Sequence, residues 1–305
     1  MSKRRAPADR HSLSMFPEDD GADVDDTAEP PEPKYVQDSD GLWMEVLKPH
    51  SLQKHELIRK YIEICRSVRK KWRDLQCRNT YIDLFAGPGR SCDATRRNQW
   101  SSGAVMAYEA SAAVDHAVPF DLLFIADLEE RMVDSTCARL ARLNAPFKPH
   151  VGDANSTADR IIPALGDGFH FAVLDPWGLK ALPFTLVEKF LPVNHLDLVI
   201  HISRQGLVRN LGHNLRGTHR TFDAFLPQWR SVYDKTKTDA ENIERILNCY
   251  RETIANRGPK LVRRVRRIGS GNRTLYWLFL VSGHPLAEDF WGKIDPQERD
   301  SLRLD

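Results

Sequence analysis

The chain has few cysteines, and none of them are arranged in pairs. It contains five, an odd number, and no C-x-x-C spacing occurs. A disulfide framework or a zinc site is therefore not expected, and a reducing compartment such as the cytoplasm is the simpler expectation. No stretch approaches the ~18–20 apolar residues that span a membrane, and no apolar segment of a secretory signal follows the basic Met1–Arg10. We expect a soluble protein without a metal.

The first 40 residues contain almost nothing apolar to bury. They hold 5 basic and 11 acidic residues, a net charge of −6, so that residues 41–305 carry +8 of the total of +2. This composition predicts a disordered acidic tail over 1–40. The rest is predicted to be one domain over 41–305. Its basic charge suits a polyanionic partner such as nucleic acid.

Strand and helix patterns alternate from residue 80 onwards. The strand candidates are continuous apolar runs rather than alternating ones, which is typical of a parallel sheet covered on both faces. The predicted strands are Thr80–Phe85, Leu122–Ala126, Phe147–Val151, Phe169–Leu174 and Leu196–Ile202. The predicted helices between them are Gly103–Ala113, Leu128–Leu143, Asp159–Leu165 and Pro183–Phe190.

The ends of the domain complete the fold prediction. Apolar residues at helical spacing predict one amphipathic lead-in helix over Lys54–Trp72. A helical insertion is predicted at about 204–257, and an antiparallel hairpin at Leu261–Ile268 and Thr274–Ser282. Dinucleotide-binding folds continue instead with another helix and parallel strand. The prediction is therefore an α/β, Rossmann-like class I methyltransferase fold, a mostly parallel sheet with a C-terminal antiparallel hairpin.

The string Y-I-D-L-F-A-G-P-G at 81–89 is the strongest candidate for a cofactor loop. Asp83, Phe85, Gly87 and Gly89 lie where a strand ends in a loop whose small residues allow a ligand to approach the backbone. The third glycine of a G-x-G-x-x-G pyrophosphate loop is missing. An acid before the glycines suits the positively charged methionine end of S-adenosylmethionine (SAM). The alternative is a tight turn of purely structural use.

Two further acids follow the next two strands. Asp127 at the end of the second strand is placed to accept the ribose hydroxyls of a nucleoside cofactor. Asp153 after the third strand is placed to receive the adenine amino group. A helix N-cap is the structural alternative for both.

Asp175, Pro176 and Trp177 follow the fourth strand, where substrates meet cofactors in open α/β sheets. Asp175, or a carbonyl fixed by Pro176, is a candidate to orient a methyl-accepting nitrogen, and Trp177 offers a surface on which a base can stack. A rigid loop with a packed tryptophan is the alternative.

Basic residues and aromatics are interleaved in two later segments, as polynucleotide-binding surfaces often are. A solvated face or a protected edge strand explains them nearly as well. The residues are Arg204, Arg209, Arg216, Arg220 and Arg230 with Phe222, Phe225 and Trp229, and then Arg263, Arg264, Arg266 and Arg267.

The order of these motifs resembles the three-Cys-motif partner proteins (TcmP). The resemblance covers about 50–290 and is carried by 81–89, the Ser-Gly helix start at 102–103, L-D-P-W-G at 174–178 and L-D-L-V-I-H-I at 196–202. It implies a phage-associated, methyltransferase-like protein with a radical-SAM-like partner that bears three cysteines.

D-P-W-G is also similar to the D-P-P-[YFW] motif of amino-nitrogen methyltransferases, except that Trp177 replaces the second proline. The Pro-Cys nucleophile of cytosine-C5 methyltransferases is absent. The sequence therefore predicts a SAM-dependent methyltransferase acting on an amino nitrogen of nucleic acid. The alternative is a non-catalytic SAM- or nucleic-acid-binding partner subunit. A nicotinamide-dependent oxidoreductase is disfavoured, because both G-x-G-x-x-G and a Tyr-x-x-x-Lys pair are missing.

Overall fold

The computed structural model describes residues 34–47, 49–113, 117–258, 261–269 and 273–294. Its strands are β1 Tyr35–Gln37, β2 Trp43–Val46, β3 Arg78–Asp83, β4 Arg90–Cys92, β5 Gln99–Ser101, β6 Leu122–Asp127, β7 Phe147–Val151, β8 Gly168–Leu174, β9 Leu196–Ser203, β10 Leu261–Gly269 and β11 Arg273–Ser282. Its α-helices are α1 Pro49–Ile64, α2 Arg66–Asp74, α3 Gly103–Ala112, α4 Glu130–Arg142, α5 Ala154–Ile161, α6 Phe184–Phe190, α7 Arg204–Leu215, α8 Thr221–Phe225, α9 Trp229–Val232, α10 Asp239–Arg257 and α11 Leu286–Ile294.

Seven strands form the main sheet, in the order β10-β11-β9-β8-β3-β6-β7. The five from β7 to β9 are parallel, whereas β11 runs antiparallel to both β9 and β10. The predicted Rossmann-like methyltransferase fold with its C-terminal antiparallel pair is confirmed. All five parallel strands lie within two residues of their predicted bounds. In four of them this is because continuous apolar runs mark strands buried on both faces, whereas the edge strand β7 is half-buried or exposed throughout.

The sheet separates two hydrophobic cores. Side chains of alternating strand residues, such as Tyr81 and Ile82 on β3, enter opposite cores. One core is closed by α1, α3 and α11, and the other by α5 to α8 and α10. This arrangement fixes the parallel strands rigidly, so that the loops at their carboxyl ends keep a defined geometry.

A second, four-stranded sheet of order β1-β2-β4-β5 was not predicted. Its strands have three or four residues each, too short for a clear period. The predicted tail boundary at residue 40 is therefore wrong, because β1 pairs with β2 and buries Val36 against Met44. Asp38 also forms an ion pair with Arg90 at 2.8 Å. The remainder of the predicted tail lies outside the described residues.

The helix predictions differ from the structure at two places. The lead-in helix begins earlier than predicted and is interrupted at Cys65, whose N–H still donates to Tyr61 and whose carbonyl accepts from Arg69. The predicted helix Asp159–Leu165 instead begins at Ala154, because the Asp153 side chain accepts the Ser156 N–H and caps it there. Among the described residues, no helix combines the length and apolar character needed to cross a bilayer.

The helical insertion contains α7 to α10, and its aromatic side chains do not face solvent. Phe222, Phe225 and Trp229 are buried against α10 and the sheet. The interpretation of these aromatics as part of a polynucleotide-binding surface is therefore wrong. Their helical spacing reflects core packing instead. For Arg263, Arg264, Arg266 and Arg267 the backbone of β10 is described, but the side chains lie outside the described part.

Candidate functional site

Two glycines, Gly87 and Gly89, shape the loop after β3, and they have different structural roles. Gly87 has φ +55° and Gly89 has φ +75°, a region that favours glycine. A Cβ on Gly89 would lie 2.6 Å from Val105 Cγ2, so this glycine permits close packing onto α3. A Cβ on Gly87 would meet only Glu45 Oε2, at 3.9 Å. The expectation of a ligand close to the backbone therefore fits Gly87, whereas Gly89 serves packing.

Asp83 ends β3 and is buried beside this loop. Its Oδ1 accepts the Phe85 N–H at 3.1 Å. Burial, together with the nearby carboxylates of Asp175 and Asp127, raises its pKa to about 7. Gly103, the first residue of α3, would place a Cβ 3.1 Å from Asp83 Oδ2. The N-terminus of α3 thus packs directly against the Asp83 carboxylate.

Asp127 links the glycine loop to the next β–α connection. Its Oδ2 accepts the Gly87 N–H and its Oδ1 accepts the Glu129 N–H, both at 3.0 Å. The N-cap of α4 is Glu129, so Asp127 is not the cap. Burial raises the pKa of Asp127. The carboxylate can still accept further hydrogen bonds, since an ionised carboxyl offers about four lone-pair sites.

Asp153 is the N-cap of α5, the structural alternative that the sequence analysis left open. It is exposed, and its Oδ1 accepts the Ser156 N–H at 3.0 Å as the N-cap of α5. This bond holds the pKa of Asp153 below its usual value. The cap leaves the second carboxylate oxygen for a ligand, and the adenine role stays a prediction.

Asp175 lies between two basic side chains. Its Oδ2 pairs with Lys54 of α1, and its Oδ1 lies 2.9 Å from His201 Nδ1 of β9. Burial opposes ionisation, but Lys54 and His201 hold the pKa of Asp175 well below its usual range. An ionised Asp175 fixes the His201 ring, so that in the neutral form the proton is on Nδ1 and Nε2 is the basic nitrogen.

Trp177 is 58% exposed, whereas Pro176 beside it is buried. The Lys34 ammonium lies 3.6 Å from the centroid of the Trp177 ring, and the Tyr35 ring lies edge-on at 6.2 Å. The alternative of a packed core tryptophan is therefore excluded. Trp177 is a surface aromatic with a cation against its face.

Sequence reasoning missed four residues of this cluster, for different reasons. Lys54 and His55 could have been noticed as polar residues on the buried side of the lead-in helix. His201 could have been noticed as a titratable residue near the end of the apolar strand β9. Glu45 carries no such signal, because its short strand was not predicted. Burial raises the pKa of Glu45 to about 7 and lowers that of His55 to about 4.

Four acidic or basic side chains, those of Glu45, His55, Asp83 and Asp175, line a cavity of about 30 Å³. His55 Nδ1 is buried without a hydrogen-bond partner among the described residues. We call this group of residues the polar cluster: Glu45, Lys54, His55, Asp83, Asp127, Asp175 and His201. The described residues include no group of three or more His, Cys, Asp or Glu side chains arranged to hold a metal ion.

No protein-family model and no curated protein sequence matches the chain. Similar solved structures include LPL1258 of Legionella pneumophila, with TM-score 0.46, 10% identity, and coverage of 75% of this chain and 85% of that one. An O-methyltransferase of Bacillus cereus in complex with SAH has a TM-score of 0.41 and 13% identity, and the match covers 77% of this chain and 82% of that one. Trm1 of Pyrococcus horikoshii with SAM has a TM-score of 0.40 and 14% identity, and the match covers 84% of this chain and 63% of that one. Because these TM-scores are below 0.5, the fold class rests on the strand order.

Proposed function

We propose that this protein binds SAM at the polar cluster and transfers its methyl group to an acceptor held beside Asp175 and Trp177. The observation that carries the proposal is a pair of acids on one cavity, the buried Asp83 and the half-buried Glu45, whose pKa values are both raised to about 7. Two such carboxylates around one small cavity favour a cationic ligand, which restores their ionised forms. Asp83 ends β3 next to β8, where the order of the strands reverses across the sheet and ligands bind in open α/β folds.

The methionine end of SAM would take its polar contacts from residues around the 30 Å³ cavity. Its ammonium would be held by Asp83 and Glu45, and the unpartnered His55 Nδ1 offers a further polar contact. Its carboxylate would bind at the N-terminus of α3, where Ser102 makes no side-chain cap bond and the first backbone N–H groups have no acceptor within the helix.

The adenosine end would extend along the neighbouring strand ends. Asp127 has acceptor sites left for ribose hydroxyls, and Gly87 leaves the backbone open beside it. Phe85 offers an apolar contact at the turn. Asp153 would receive the adenine amino group through the oxygen that Ser156 does not use.

Bound SAM supplies an electrophilic methyl group on a sulfonium. The residues near Asp175 then act on the acceptor. Asp175 and the backbone at Pro176 orient it, the basic Nε2 of His201 takes its proton, and Lys54 balances the charge of Asp175. In-line transfer of this kind depends mainly on positioning.

The acceptor class we propose is an amino nitrogen of a nucleic-acid base. The exposed face of Trp177 supports it, since a base can stack there in exchange for the Lys34 ammonium. The positive charge of residues 41–305 is consistent with a phosphate backbone nearby. From the order of the motifs alone, we infer that this protein is related to the three-Cys-motif partner proteins.

A second candidate is a non-catalytic SAM-binding subunit of a three-cysteine-motif partner protein. The specific observation in its favour is that both oxygens of Asp175 are already paired and that Lys34 covers the Trp177 ring. Such a subunit would bind SAM without transferring its methyl group. Transfer of labelled methyl by the isolated chain would rule it out.

The experiment that tests the proposal is calorimetric titration with S-adenosylhomocysteine. We expect micromolar binding, about −8 kcal/mol, and a loss of about tenfold or more in Asp127→Ala. The exposed Asp134→Asn on α4 is the matched control and should bind like wild type. A methyl-labelled SAM assay on cellular RNA, DNA and protein then separates the two candidates. The absence of binding in wild type would contradict both.

A further inference from the structure

A second cavity lies at the opposite edge of the main sheet, where β8 and β9 begin and β11 ends. We call it the amino-edge cavity. Its volume is about 450 Å³, within the range of about 300–1,000 Å³ that is typical of small-molecule sites. Most of its lining is apolar or aromatic, contributed by α2, β8, the segment before β9, and α11. These side chains include Val68, Trp72, Phe169, Leu191, Val193 and Phe290.

One buried carboxylate lines this apolar cavity. Asp197, the second residue of β9, is only 7% exposed, and its Oδ2 accepts the Tyr61 hydroxyl at 2.8 Å. Burial raises the pKa of Asp197, although hydrogen bonds from Ser282 and Tyr61 and the nearby His284 act in the opposite direction. Among the described residues, no lysine or arginine nitrogen lies within 4.0 Å of it.

A purely structural role does not require this arrangement. The Tyr61–Asp197 bond connects α1 to β9, and a neutral acceptor would serve the same bond. A buried carboxylate without an ion-pair partner is costly, and the cost falls when a cation reaches it. Its remaining lone pairs give a donor in the cavity somewhere to bind. The apolar lining favours a donor that is attached to an apolar group.

We propose that the amino-edge cavity is a binding site for a small molecule that joins an apolar group to a protonated primary amine. The ammonium donates to Asp197, and the apolar group fills the space between α2 and α11. This site lies at the other edge of the sheet from the polar cluster. The proposal is therefore independent of the proposed function.

The test compares 2-phenylethylamine with 2-phenylethanol, which has the same skeleton but no charge. Binding to the full chain is followed by NMR titration at neutral pH. We expect the amine to bind at least about tenfold more tightly than the alcohol. In Asp197→Asn, which keeps the size of the side chain and an acceptor for Tyr61, this preference should disappear. Asp134→Asn is the matched control and should retain it.

Circular dichroism and thermal unfolding establish that Asp197→Asn is folded. If it is not, a crystal structure of the wild type with 2-phenylethylamine decides, since the nitrogen must lie within hydrogen-bond distance of Asp197. Equal binding of amine and alcohol, an unchanged preference in Asp197→Asn, or an amine bound elsewhere would each overturn the proposal. So would the absence of amine binding.

Discussion

The two edges of the main sheet show how one fold distributes charge. At the carboxyl edge, the polar cluster contains four carboxylates and three basic side chains, of which Glu45, His55, Asp83 and Asp175 line a cavity of about 30 Å³. At the amino edge, a cavity of about 450 Å³ is lined mostly by apolar side chains and one buried carboxylate. In a parallel sheet the following helices begin at the carboxyl edge, where their N-terminal N–H groups stabilise anions. The amino edge lacks these helix N-termini, and Asp197 in its cavity has no lysine or arginine nitrogen within 4.0 Å among the described residues.

The largest effect is expected where the backbone packs against the polar cluster. Gly103→Ala should lower the free energy of unfolding by about 3 kcal/mol, because φ is +50° and a Cβ would lie 2.8 Å from the Ala86 carbonyl oxygen. Urea denaturation measures it. Gly178→Ala is the control, with φ −153° and no atom within 4 Å of an added Cβ. Equal effects of the two changes would show that this edge is loosely packed.

The next effect is on cofactor affinity. Asp83→Asn should weaken S-adenosylhomocysteine binding by about a hundredfold, or about 2.7 kcal/mol, because it removes the buried charge that faces the ligand's ammonium. Asp197→Asn, the corresponding change at the amino edge, should leave this affinity unchanged. Calorimetric titration measures both. A similar loss in both variants would mean that the two edges are coupled rather than separate.

A third effect concerns pH. The pKa of Glu45 is raised from 4.5 to about 7 in the folded protein. Its protonated form therefore stabilises the fold fully below pH 4.5, and this contribution is lost as pH rises through 7. Relative to Glu45→Gln, which does not titrate there, wild type should lose about 2 kcal/mol of unfolding free energy over that interval.

Chemical denaturation at a series of pH values measures this difference. The opposite trend expected from His55, whose pKa is lowered to about 4, is present in both proteins and cancels in the comparison. Parallel stability curves for the two proteins would show that Glu45 ionises normally.

The smallest effect on stability is expected at Trp177. Because the side chain is 58% exposed, Trp177→Ala should change the unfolding free energy by less than about 0.5 kcal/mol. It should leave S-adenosylhomocysteine affinity unchanged while lowering labelled methyl transfer. The exposed Leu128→Ala is the control for loss of a surface apolar group. If transfer persists in Trp177→Ala, the acceptor does not stack there.

Local patterns were enough to predict the parallel strands and three of the acids at their ends. Continuous apolar runs identify doubly buried strands, and the acids follow those runs directly in the chain. The short strands around β1 and β2 carried no such pattern, since three or four residues show no period. Glu45 and Lys54 were also missed because both interact with Asp175, which lies more than a hundred positions away in the chain.

Sequence patterns alone place Asp83, Asp127 and Asp175 at the ends of the first, second and fourth strands of a parallel sheet, because strand polarity and apolar periodicity are local properties. The pairing of Lys54 and His201 with Asp175, the position of Glu45 beside Asp83 on one cavity, and the burial of Phe222 and Trp229 arise only from the folded arrangement. The same arrangement places Asp197 in the lining of a cavity at the other edge. Burial and charge pairing depend on which distant elements pack together, and no local pattern encodes that.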